Sequence, residues 1–233
     1  MKYLNRLPRH ILIQLLALIF VFFLCSCISL RLLHNKKRYI FIDGGAHYGE
    51  SIIKFENTKL FSKYPWEIIA IEANPEVINR IPKQKNIKII NKAIWINKGK
   101  IEFFITDNDS LSSLFKDNKP SKAVQIPCFD FSKWLKNNFT ENDHVILSFD
   151  IQGAEYEVFR KMLKEDTFKL IDRLCVEMHT DHTREQKEEN RNIDEDEILL
   201  DRIRSTGCIV SENSAEHIIE THWKDYFEGL IEL

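Results

Sequence analysis

Two places in the chain carry side chains whose types and spacing could do chemistry. The first is Asp43-Gly44-Gly45-Ala46-His47-Tyr48-Gly49, directly after the apolar run Tyr39-Ile40-Phe41-Ile42. Glycines at 44, 45 and 49 let a backbone turn sharply and approach a ligand closely, with a helix amino terminus behind them. Their spacing is not the Gly-x-Gly-x-x-Gly of dinucleotide sites, and an acid, Asp43, stands on the leading edge of the turn. A carboxylate there repels a pyrophosphate but hydrogen-bonds an ammonium group. Glu72, 23 residues beyond Gly49 and at the close of a second apolar run, stands where an acid receives both hydroxyls of a ribose, and Asn74 follows it. A glycine turn alone is most often only a tight turn; combined with Asp43 and Glu72 it points to a ligand with an ammonium and a ribose.

The second place is Asp150, at the exit of Val145-Ile146-Leu147-Ser148-Phe149 and just before Gly153, together with His179 at the end of another apolar stretch. A carboxylate at a strand exit faces a crevice rather than the core. On neighbouring strand ends the pair could act as a base or as metal ligands, although a histidine at a strand end is more often a surface residue. Glu155 and Glu157 suit the first turn of a helix, where negative charge is favourable anyway. His182 and the run Asp194-Glu195-Asp196-Glu197 read as solvated. Trp134, Trp223, Tyr226 and Phe227 read as packing residues, with stacking on an acceptor as the alternative.

Such residues need a scaffold that gathers strand ends at one edge, and the hydrophobic pattern predicts it. Strands are expected at 39–42, 67–71, 87–90, 144–149 and 171–178, with helices over 50–61, from Pro75 onward, and over 131–138, 154–163 and 194–205, the last ended by Gly207. Runs at 100–106 and 123–127 look like added strands around a polar loop at 107–121. Strands alternating with helices argue for an α/β, doubly wound, mostly parallel sheet, whose ligands sit beyond the carboxyl ends of its strands.

Asp43 to Gly49, Ile71-Glu72-Ala73-Asn74-Pro75, Phe149-Asp150-Ile151-Gln152-Gly153-Ala154-Glu155 and Val176-Glu177-Met178-His179 follow one another as in the FkbM-type methyltransferases. The chain resembles that family over about residues 39 to 180, most specifically in the Asp-x-x-Gly-Ala-Glu block. The resemblance implies a seven-stranded Rossmann-like sheet of the class I methyltransferase kind. It also implies S-adenosylmethionine over the first two strand ends and methyl transfer to oxygen, often a sugar hydroxyl. Carried over by position, Asp43 and Gly45 would lie near the methionine part of the cofactor, Glu72 would bind the ribose and Asp150 would border the transfer site. Gly44, Gly49 and Asn74 complete the expected cofactor-binding set. Gln152 stands where many members have Glu, so this position lacks the charge of a base or metal ligand.

Composition bounds the rest. A chain of 233 residues, 44% hydrophobic and 29% charged, suffices for one full-sized domain, and 7 Gly and 6 Pro exclude collagen-like or linker-dominated architectures. The formal charge of −2 conceals an asymmetry: residues 1–38 hold seven basic residues and no acid, leaving 26 basic against 35 acidic residues, or −9, for the remainder. So acidic a body repels a phosphate backbone, and no nucleic-acid partner is expected. The twenty uncharged residues from Ile11 to Leu30 would span about 30 Å as a helix, the thickness of a bilayer core. The expected organisation is a short basic tail at 1–10, a single-pass membrane anchor at 11–30, a basic juxtamembrane linker at 31–38 and the domain at 39–233. A cleaved signal peptide is disfavoured because the apolar run is long and lacks an Ala-x-Ala-like site; Leu24-Cys25-Ser26-Cys27 leaves a lipoprotein cleavage box as a minor alternative. Three basic residues before the segment and four after it favour neither orientation. Cys128, Cys175 and Cys208 are widely spaced and indicate neither a disulfide framework nor a zinc site.

The resulting expectation is a membrane-anchored O-methyltransferase that uses S-adenosylmethionine on a small-molecule or glycan acceptor, with Asp150 orienting the acceptor or a divalent metal and His179 as the base near an ordinary pKa of about 6.5. A nicotinamide-dependent oxidoreductase is the enzymatic alternative, disfavoured by the fingerprint spacing. A non-catalytic cofactor-binding scaffold is the other, favoured by Gln152.

Overall fold

The computed structural model describes residues 14, 18–22, 37–108, 111–116, 120–179 and 193–212. The chain divides into two units, 1–37 and 38–233. In the first, Leu18 to Phe22 are helical and more than half exposed. Among the described residues no helix is long and apolar enough to cross a membrane, so the span expected at 11–30 has no support from them and lies largely outside them. His182, Trp223, Tyr226 and Phe227 also lie outside the described residues.

In the second unit β1 (Tyr39–Gly44), α1 (Glu50–Glu56), α2 (Lys59–Lys63), β2 (Trp66–Glu72) and β3 (Ile87–Asn91) follow in order. Then come β4 (Ala93–Trp95), β5 (Gly99–Thr106), β6 (Ser121–Asp130), α3 (Phe131–Asn138), β7 (His144–Phe149), α4 (Glu155–Lys164), β8 (Arg173–Val176), α5 (Ile193–Arg204) and β9 (Ile209–Glu212). Six strands form one parallel sheet in the order β3-β2-β1-β7-β8-β9, and β4-β6-β5 form a second, smaller sheet. This is the doubly wound, Rossmann-like arrangement, with six of the seven strands implied by the resemblance present among the described residues. The order reverses between β1 and β7, where a crevice opens beyond the carboxyl ends.

Both faces of the large sheet are covered, which is why its strands are continuous apolar runs. The period of two divides β1: Ile40 and Ile42 join the cluster with Leu147, Phe149 and Phe159, while Phe41 packs on the opposite face with Phe55, Ile68 and Ile146. The packing role expected of Trp134 is seen: it stacks on Phe131 and meets Phe139 edge-on.

Several expected elements differ. The helix expected over 50–61 is two helices, because Thr58 caps the second: its hydroxyl accepts from the Phe61 N–H and donates to the Phe55 carbonyl. The helix expected from Pro75 is a turn and a short 3₁₀ segment, Ile78–Arg80; the side chains of Glu72 and Asn74 accept the N–H groups of Asn74 and Glu76 and hold the chain in the turn. β8 is shorter than the apolar run 171–178. Strands β4 and β9 were not anticipated, since three or four residues are too few for alternation to register.

Candidate functional site

The turns after β1 and β2 are joined by backbone and side-chain bonds. The N–H groups of Gly45 and Ala46 donate to the Ile71 carbonyl at 2.9 and 3.1 Å. Glu72, only 7% exposed, accepts from the His47 N–H at 2.7 Å and from the Asn74 N–H at 2.6 Å, one on each oxygen. Burial raises its pKa although these bonds oppose the change. His47 has a positive φ of 47°, held by this bond and by stacking of its ring on Tyr48.

Gly45 and Gly49 turn the chain with positive φ, as expected, and all three glycines of the turn lie close against other parts of the chain. At Gly45, φ +83°, a Cβ would lie 1.7 Å from the Asp150 carbonyl oxygen; at Gly49, φ +87°, it would lie 2.7 Å from Pro82; at Gly44 it would meet Ile94 and Phe149 at 2.9 Å. The close approach that requires glycine is thus between parts of this chain, and it lets the turn after β1 lie against the turn after β7, where the Asp150 N–H donates to the Gly44 carbonyl at 2.9 Å.

Asp43 is 1% exposed, and the register sets it beside Ser148, which bonds its carboxyl. Its Oδ2 is buried with no partner among the described residues. Burial pushes Asp43 up to about 7, and the charges of Asp150, Glu72 and Glu50 add to the rise. That mutual influence places the acids of both turns around one crevice. Asn74 is equally buried; its Oδ1 accepts from the Glu76 N–H, and its Nδ2 has no partner among the described residues.

Across the crevice, Glu155 organises the turn from Asp150. Its side chain is fully buried, Oε1 accepting from the Ile151 N–H at 2.8 Å and Oε2 from the Gly153 N–H at 2.7 Å. Oε1 also lies 3.3 Å from Nδ1 of His179. The Gln152 amide nitrogen donates to Oδ1 of Asp150 at 2.9 Å and stands 3.0 Å from Nε2 of His179. Asp150 Oδ1 and Glu177 Oε1 are each 3.8 Å from that nitrogen. Ser113 donates to the Gln152 carbonyl at 2.7 Å, pinning the loop between β5 and β6 onto this turn.

The structure therefore brings Asp150 and His179 together, with one correction. Burial works against an imidazolium, but the hydrogen bond to Glu155 and the charges of Glu155, Asp150 and Glu177 win and hold His179 at about 9, not near 6.5. The histidine carries a proton at neutral pH. Asp150 is raised to about 6 by burial in the crevice walls, partly offset by His179, and so remains mostly ionised at pH 7.

From the sequence Glu155 reads as a helix-end charge, and nothing local marks Glu177 or Ser113 as part of the site. The available signal for Glu155 was its place two residues after Gly153, close enough to reach back to a turn's free N–H groups. Asp196, expected to be solvated, is half-buried and accepts a hydrogen bond from the Tyr156 hydroxyl.

The assembled crevice can neutralise a cation, accept hydroxyl hydrogens and hold a buried polar ligand; it opposes a pyrophosphate. Nearby, a cleft of about 700 Å³ opens between the turn after β2 and the free end of the β5–β6 ribbon. One wall is Arg80, which donates to the Tyr48 hydroxyl at 2.5 Å. A family model described as the methyltransferase FkbM domain matches residues 43–219, which include every residue of the site. No curated protein and no solved structure matches the chain.

Proposed function

The chain belongs to the FkbM methyltransferase family, and on that premise we propose that it is an S-adenosylmethionine-dependent O-methyltransferase acting on a hydroxyl of a sugar or other small glycan-like acceptor. The observation that carries this reading is the buried, unpartnered Oδ2 of Asp43 in an acidic crevice at the point where the strand order reverses. An unpaired carboxylate oxygen in such a place suits a ligand ammonium, and the surrounding acids favour a ligand with positive charge. When bound, S-adenosylmethionine would supply an electrophilic methyl for transfer to the acceptor oxygen, the electron pair of the methyl–sulfur bond staying on sulfur and the hydroxyl proton passing to a carboxylate of the chain.

The chain's residues divide the remaining work. Asp43 meets the ammonium. Glu72, both oxygens already holding a backbone N–H, uses its remaining lone pairs for the ribose hydroxyls, and Asn74 Nδ2 donates nearby. Gly44, Gly45 and Gly49 serve indirectly, by letting the turns close. Asp150 orients the acceptor hydroxyl and receives its proton, because it is ionised at neutral pH while His179 is protonated and positions it. The neighbouring cleft has the size of a small-molecule site.

Calorimetry with S-adenosylhomocysteine and a methyl-transfer assay over sugar-containing acceptors test this proposal. Saturable binding with turnover supports it; preference for a nicotinamide cofactor overturns it. Binding without transfer to any acceptor would favour the scaffold reading, for which Gln152 in place of an acid is the specific argument.

For residues 11–30 the proposal remains a retained single-pass anchor, supported by twenty consecutive uncharged residues. Resistance to alkaline carbonate extraction is the expected result. A mature terminus near Ser26 or Cys27, found by mass spectrometry, would overturn it.

A further inference from the structure

We propose that Asp150, Gln152, Glu177 and His179 form a site for one divalent cation of the Mn²⁺ or Mg²⁺ class, with buried Glu155 orienting the histidine. Two segments converge there, the turn leaving β7 and the chain leaving β8. The Gln152 amide end lies 2.9 Å from Asp150 Oδ1 and 3.0 Å from His179 Nε2, and that nitrogen is 3.8 Å from both Asp150 Oδ1 and Glu177 Oε1. Around an octahedral ion with bonds of about 2.1 Å, adjacent ligand atoms sit about 3 Å apart. With the Gln152 amide turned so that its oxygen takes the nitrogen's place, two spacings match, and the two longer ones close if each partner moves by about half an ångström.

Gln152 can switch between two states because turning its terminal amide by 180° exchanges nitrogen for oxygen at one position. With nitrogen inward, the amide donates to Asp150 and can donate to Nε2 only of a neutral imidazole, since the Nε2–H of an imidazolium is itself a donor. With oxygen inward, it becomes a neutral ligand between them. The ion takes the place of the Nε2 proton, while Nδ1–H keeps its bond to Glu155 Oε1 at 3.3 Å, a carboxylate–histidine–metal chain. Charge favours the exchange: three carboxylates, those of Glu155, Asp150 and Glu177, lie within 3.8 Å of one imidazole, and two positive charges balance them better than one. Oxygen donors with a single imidazole suit Mn²⁺ or Mg²⁺ rather than a thiolate-seeking metal. In methyl transfer the ion would hold the acceptor oxygen and ease its deprotonation. That role rests on the proposed activity; the cation site does not.

The test is a Mn²⁺ titration of the full, detergent-solubilised chain after chelator treatment, with free Mn²⁺ read by electron paramagnetic resonance and Mg²⁺ as competitor. One saturable Mn²⁺ per chain is expected, weakened about tenfold or more by Asp150→Asn or His179→Gln. Gln152→Glu, which gives up the amide bond to Asp150 but adds a charged ligand and keeps the Glu155 clamp, should tighten binding about tenfold, so the outcome does not depend only on variants that weaken it. Absence of saturable binding overturns the site, as does binding unchanged in all three variants. S-adenosylhomocysteine calorimetry on the same metal-free sample separates the two ideas: cofactor binding there, with no Mn²⁺ binding, sinks the cation site and leaves the methyltransferase reading intact.

Discussion

The two walls of the crevice are built alike and finished differently. In each, a buried glutamate accepts two backbone N–H groups: Glu72 binds the turns after β1 and β2, and Glu155 binds the turn after β7. On the Glu155 side the chain supplies its own cation, His179. On the Glu72 side it leaves Asp43 Oδ2 and Asn74 Nδ2 buried without partners among the described residues. Unpaired buried polar atoms cost stability, so a ligand that met them would relieve a cost on the first wall that the paired groups of the second do not carry. Under the proposed function, the first wall receives the cofactor and the second the reacting groups.

The largest expected effect bears on the second wall's chemistry. His179→Ala removes the cation that positions Asp150 and should lower turnover by about 10²-fold while leaving S-adenosylhomocysteine affinity nearly unchanged, a split read by comparing steady-state kinetics with calorimetry. Wild-type turnover would remove the histidine from the reaction, and an equal loss in cofactor affinity would dissolve the distinction between the walls.

Next in size is the clamp. Glu155→Ala leaves the Ile151 and Gly153 N–H groups without their acceptor and takes from His179 its nearest carboxylate, and should lower unfolding free energy by about 3 to 4 kcal/mol in urea titrations. A loss under about 1 kcal/mol would show that the turn does not depend on its glutamate.

The first wall responds to pH through Asp43. Its folded pKa of about 7 lies above its ordinary value, so the folded state binds the extra proton between about pH 4 and 7 and stability falls as pH rises through that window. Asp43→Asn should remove its share of this slope, leaving that of Asp150, Glu72 and His179, and stabilise the ligand-free protein at pH 8 by about 2 kcal/mol, the full shift being reduced because the amide must itself be buried. Thermal melts at pH 5 and pH 8 check it; a variant that keeps the wild-type slope would assign the proton elsewhere.

The smallest effect sharpens the comparison from the ligand side. Glu72→Ala removes charge-assisted bonds to the ribose, each worth about 1.5 to 3 kcal/mol, and should weaken cofactor-product binding at least about tenfold. Unchanged affinity in calorimetry would reduce Glu72 to a clasp between turns.

What the sequence by itself determined is short-range. The apolar runs of β1, β2, β3 and β7, the glycine turn at 44–49 and the acids at strand ends were all legible, because periodicity and turn chemistry act over a few residues. Strand ends in a doubly wound sheet necessarily share an edge, so Asp43, Glu72, Asp150 and His179 could be placed at one crevice before any coordinates. Tertiary structure alone decided what each residue does there. Gly45 reads locally as room for a ligand, yet the space is filled by the Asp150 carbonyl, more than a hundred positions along the chain. Glu155 reads as a helix-end charge until folding buries it against His179, and His179 reads as an ordinary imidazole until three carboxylates from two segments surround it. Burial and charge depend on the distances between segments remote in sequence, and those distances exist only once the sheet has assembled.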